Sequence, residues 1–60
     1  LKKTDLRKRG HSSASTIRSL KPGTVLLVMR QSESWLFVAH SEDGNLQVGW
    51  VHGDDVRRLP

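Results

Sequence analysis

The stretch Leu46–Val56, LQVGWVHGDDV, constrains the fold more than any other part of the chain. Apolar residues alternate into a glycine-tryptophan pair, Gly49-Trp50. The turn-forming Gly53-Asp54-Asp55 follows, and the chain then returns to apolar Val56. This is strand patterning with a short turn at its end. A glycine inside a strand marks a bulge or the close approach of another backbone or ring. Gly53-Asp54-Asp55 suits one turn of 3₁₀ helix, with aspartate side chains capping backbone N–H groups.

The preceding segments read as strands that pack against this one. Asp43-Gly44-Asn45 between two apolar runs is a hairpin signal. Leu46–His52 is therefore expected to pair antiparallel with Trp35–His40 (WLFVAH). Period-two alternation puts Leu36, Val38 and His40 on one face of that strand and Trp35, Phe37 and Ala39 on the other. Val25–Met29 (VLLVM) is an unbroken apolar run, expected to be a strand buried on both faces. Arg30–Ser34 reads as a polar connection. Lys21-Pro22-Gly23-Thr24 is a turn: proline presets φ and glycine accepts a positive φ, as in type II. Ile17–Leu20 is a short apolar-ended strand, His11–Thr16 a small polar loop, and Thr4–Arg7 a short charged edge strand. Val56–Leu59 is expected to close the fold as a last short strand.

No stretch has helical periodicity, so the expected class is all-β. The 60 residues make one small domain with no cysteine to staple it. At this length a sandwich is too large, and a small five-stranded barrel is expected. The expected core is Leu20, Val25, Leu27, Leu36, Val38, Trp50, Val51 and Val56, with Trp50 packed over Gly49. The chain begins at Leu1 and is read as a fragment of a longer protein, residues 1–60 forming one domain with residues 1–3 disordered. No run of 18 apolar residues is present, so no membrane insertion is expected.

Charge is uneven. Residues 1–21 carry seven bases (Lys2, Lys3, Arg7, Lys8, Arg9, Arg18 and Lys21) and one acid, Asp5. Residues 22–60 carry three bases and five acids. A basic N-terminal side admits an anionic partner such as nucleic acid, a lipid surface or a wall polymer, or is a solvated face. The aromatics lie elsewhere in the sequence, without basic-aromatic interleaving. Nucleic acid is therefore the less favoured partner.

No nucleophile is marked: there is no cysteine and no Gly-x-Ser-x-Gly elbow, so no catalysis is expected. His11, His40 and His52, with Glu42, Asp43, Asp54 and Asp55, follow no metal-ligand spacing, and no metal or cofactor is expected. The candidate ligand-binding residues are Trp35, Phe37, His52, Asp54 and Asp55. Trp35 and Phe37 offer aromatic contact area at low entropic cost. The two aspartates either cap backbone amides or receive a cationic group.

A further set of features carries a resemblance. Thr4-Asp5-Leu6-Arg7 precedes a small-residue loop, Gly10 to Thr16. Leu20-Lys21-Pro22-Gly23-Thr24 leads into the apolar run Val25–Met29. Trp35 and Val38 form a W-x-x-V strand, and Gly49-Trp50-Val51 precedes a turn ending at Val56. In this order the chain resembles a bacterial SH3 domain of the SH3b type from Thr4 to Leu59. Asp5 stands where that family usually has asparagine, and the stretch Arg7–Gly10 lacks the proline usual in the loop after the first strand. The resemblance implies an SH3-like barrel, used as an accessory module in a larger envelope, lytic or secreted protein. Some members bind cell-wall peptide or glycan. The expected role is a monomeric, extracytoplasmic binding or targeting module for a peptide, wall peptide or protein partner. The alternative is a spacer docked on neighbouring domains. A proline-rich ligand is not expected, because there is no tyrosine, and His52 and Asp55 occupy positions where eukaryotic SH3 domains usually place proline and tyrosine.

Overall fold

The structure, a computed structural model, describes residues 4–57, apart from the side chain of Glu42. Five strands are present: β1 (Thr4–Arg7), β2 (Thr16–Leu20), β3 (Leu27–Ser32), β4 (Trp35–Glu42) and β5 (Asn45–His52). A single turn of 3₁₀ helix, η1 (Gly53–Asp55), follows β5. All neighbours are antiparallel, in the order β2-β1-β5-β4-β3. The sheet curls so that Leu20 of β2 and Val38 of β4 share one core, and the overall extents are 27 × 26 × 21 Å. This is an all-β, SH3-like fold.

Turn chemistry sets the registers. The β4–β5 turn is Asp43-Gly44, with φ of 52° and 79°, and Glu42 pairs with Asn45 across it. Two positive φ values make a type I′ turn, whose twist matches the strands it joins. The ladder then runs without a break from Glu42↔Asn45 to Trp35↔His52. The β3–β4 turn is only Glu33-Ser34, with Glu33 at φ 55°. Arg30, Gln31 and Ser32 therefore belong to β3 rather than to a connection. Their polar side chains are tolerated there because every residue of β3 is exposed. At Lys21–Thr24, Gly23 has φ 89° and Thr24 N–H donates to the Lys21 carbonyl at 3.2 Å, the geometry of a type II turn.

The core is Leu6, Leu20, Val38 and Val51, with Leu26, Leu36 and Val56 packed against it. Gly49 faces Val38 across the β4–β5 ladder. A Cβ at Gly49 would lie 2.8 Å from both the Arg7 carbonyl oxygen and Leu6 Cγ. The glycine thus admits β1, not a tryptophan ring.

Four expectations need correction. First, β1 is not an edge strand. It lies between β2 and β5, and its single apolar residue, Leu6, is completely buried. Second, Val25 and Leu27 are not core residues, being 66% and 67% exposed. Val25 precedes β3, and β3 is the last strand of the sheet, with every residue exposed among the described residues. Third, Trp50 is half-buried on the opposite face from the core. Its neighbour Val51 takes the inward position, and adjacent strand residues point to opposite faces. Fourth, Val56 and Arg57 form no strand, and the remainder of the expected Val56–Leu59 strand lies outside the described residues, as do residues 1–3.

Candidate functional site

The β4–β5 register places Phe37 opposite Trp50 and Trp35 opposite His52. Directly paired residues share a face, so all four rings stand on the side away from the core. Phe37 and Trp50 pack with centroids 5.1 Å apart at 48°, and Trp35 and His52 meet edge-on at 5.0 Å and 83°. β1 extends this face, because Arg7 pairs with Trp50 and Asp5 is two residues away on the same side.

The loop between β1 and β2 closes over the aromatics. A Cβ at Gly10 would lie 3.3 Å from both Trp35 Cβ and Trp50 Cε3, so glycine lets the backbone rest on both tryptophans. Arg7 holds the loop from below. Its Nη1 donates to the Ala14 carbonyl at 2.9 Å and to the Thr16 hydroxyl at 3.5 Å, and its Nη2 lies 3.5 Å from Asp5 Oδ2. Lys8 N–H donates to the Ser15 carbonyl at 3.0 Å, closing the loop's neck. Lys8 and Arg9 are exposed beside this contact. The chain thus brings basic residues to the aromatics, contrary to the sequence expectation that the two lie apart. The signal missed was Gly10, whose contacts span some 25 to 40 residues of sequence.

On the other side of Trp35 is η1. His52 Nδ1 accepts the Asp54 backbone N–H at 3.2 Å, which caps the turn and assigns the ring proton of neutral His52 to Nε2. The Asp54 carboxylate lies 3.7 Å from the same nitrogen, with its side chain 93% exposed. Gly53 N–H donates to the Ser34 carbonyl at 2.7 Å, and the Thr4 hydroxyl donates to the Asp55 carbonyl at 3.2 Å. These bonds tie η1 to the β3–β4 turn and to β1.

Between loop and η1 lies an open pocket of about 200 Å³, lined by Asp5, Arg7, Ser12, Trp35, His52 and Asp55. Of the five candidate ligand-binding residues, Trp35, His52 and Asp55 line it. Phe37 stands farther along the face against Trp50, and Asp54, whose backbone N–H is capped by His52, does not line the pocket. The cap of η1 is thus the His52 ring rather than the expected aspartate side chains. Asp5, Arg7 and Ser12 were not anticipated. The alternation Asp5-Leu6-Arg7 could have placed the first two opposite the core face, whereas nothing local marks Ser12.

Among the described residues, no group of three or more His, Cys, Asp or Glu could hold a metal ion. No family model, curated protein or solved structure matches the chain.

Proposed function

We propose that this chain is an SH3b-type, non-catalytic binding module of the bacterial envelope, working outside the cytoplasm on a short peptide of the wall or of a protein partner. The observation that carries this reading is the ring row Trp35, Phe37, Trp50 and His52 on the face opposite the core, with a pocket at its Trp35 end. Rings held on a rigid ladder give large contact area with little entropy left to lose. The pocket is smaller than the 300–1,000 Å³ typical of whole small-molecule sites, so it suits one side chain or terminus of an extended ligand. Affinity from so small a contact is weak, and the parent protein supplies avidity.

The test is an amide-shift titration of the chain with solubilised wall peptides. Shifts at Trp35, His52 and Asp55 are expected, and Trp35→Ala should abolish them while preserving the dispersed spectrum of the fold. Shifts confined to β2 and β3, or an undiminished response in Trp35→Ala, would sink the proposal.

A second reading, nucleic acid, has one specific observation behind it: exposed Lys8 and Arg9 immediately precede the glycine that rests on Trp35 and Trp50. A single-stranded oligonucleotide titrated alongside decides it. Binding there should fall by roughly 0.7 log units per log unit of salt for each phosphate contact.

A further inference from the structure

The pocket beside Trp35 is chemically asymmetric. Among the described residues its one cationic lining residue, Arg7, is committed to the frame: its guanidinium serves the Ala14 carbonyl, the Thr16 hydroxyl and Asp5, and its side chain is only 24% exposed. The two carboxylates are less committed. Asp5 Oδ1 accepts from the Ser19 hydroxyl at 3.0 Å and Oδ2 is 3.5 Å from Arg7, which leaves lone pairs unused. Among the described residues the Asp55 carboxylate has no hydrogen-bond or ion-pair partner; only its backbone carbonyl is engaged, by Thr4. Among the described lining residues the surplus is therefore negative, in a chain whose net charge is +4. Trp35 adds an aromatic wall, and a ring face attracts a cation through its quadrupole. Ser12 adds a hydroxyl that can accept as well as donate. An anionic group placed here would meet Asp5 and Asp55 and find most Arg7 donors already taken.

We infer that this pocket seats a primary ammonium group, either a lysine-type side-chain amine or a free amino terminus, of the peptide that lies along the aromatic row. This inference rests on the binding face proposed above and names the chemistry that its pocket selects. The volume supports it, since about 200 Å³ admits the end of one side chain and little more. The ammonium would lie against Trp35 with its N–H donors toward Asp55, Asp5 and the Ser12 hydroxyl. An amide or an acetylated amine of similar shape keeps the contact area and loses both the ion pair and the cation–π attraction.

The experiment uses the isotope-labelled 60-residue chain and three short peptides. These are acetyl-Ala-Lys-Ala-amide, the same peptide with Nε-acetyl-lysine, and Ala-Ala-Ala-amide with a free amino terminus. At least one amine probe should move the Trp35 indole N–H and the Asp55 amide, and which one does so separates side-chain amine from terminus. Acetylation should weaken binding about three- to thirtyfold. Asp55→Asn, at an exposed carboxylate with no partner among the described residues, should weaken the amine probe about 1.5- to 5-fold and leave the acetylated probe unchanged. Equal binding of free and acetylated probes, or an Asp55→Asn variant indistinguishable from wild type, overturns the inference while the peptide face stands. If wall peptides and all three probes leave Trp35 unmoved, the face itself falls, and this inference with it.

Discussion

Strands β1 and β3 invert what their compositions suggest. β1, TDLR, has one large apolar residue, and that residue, Leu6, is fully buried. β3 begins with Leu27, Val28 and Met29, whose exposures are 67%, 51% and 48%. The difference is position in the sheet. β1 has neighbours on both edges, β2 and β5, and the curl of the sheet lays core residues over Leu6. β3 has β4 on one edge only, and its register shifts between Val28 and Arg30. Burial in a chain this small is thus decided by which strand is enclosed, not by which strand is most hydrophobic. Leu27, Ala39 and Val48 lie in one row across β3, β4 and β5 on the outer face, where only Ala39 is buried.

Substitutions at matched positions test this contrast. Leu6→Ala should have the largest effect, about 2–5 kcal/mol, enough to unfold a domain of this size at room temperature. Thermal or urea unfolding measures it, and a loss under about 1 kcal/mol would break the contrast on the β1 side. Next comes Gly49→Ala, the position that admits β1. Its Cβ would fall 2.8 Å from backbone, which must shift, and a cost of about 1–3 kcal/mol is expected in the same assay. Removing the η1 cap with His52→Ala should cost about 0.5–1 kcal/mol, seen as faster hydrogen exchange at the Asp54 amide. Glu33→Gly should raise stability by up to about 1 kcal/mol, since it relieves a left-handed non-glycine residue in the β3–β4 turn. Smallest of all is Leu27→Ser, expected within about 0.5 kcal/mol of wild type. A larger loss there would show that β3 is covered in solution.

The two ends of the aromatic row differ in a related way. The Phe37–Trp50 end is set by direct pairing across one ladder, and strand alternation had already grouped Trp35 with Phe37. The pocket end joins β1, the β1–β2 loop, β4 and η1, segments separated by up to 50 residues. Alternation also held a warning about Trp50. Trp50 and Val51 are adjacent, so only one of them could face the core, and the smaller residue took that place because β1 approaches within van der Waals distance at Gly49.

The sequence by itself determined the class, the Asp43-Gly44 hairpin, the Lys21–Thr24 turn, the β4–β5 pairing and the 3₁₀ turn after His52. These are local matters: φ preferences of a few residues and the two-residue period of a strand settle them without reference to the rest of the chain. The tertiary structure alone decided that β1 is enclosed and β3 is not, that Gly49 makes room for Leu6, and that Gly10 sets the loop on two tryptophans. It also decided that Asp5, Arg7 and Ser12 join Trp35, His52 and Asp55. Each of these depends on the order of strands and the curl of the sheet, which bring together residues that no local preference relates.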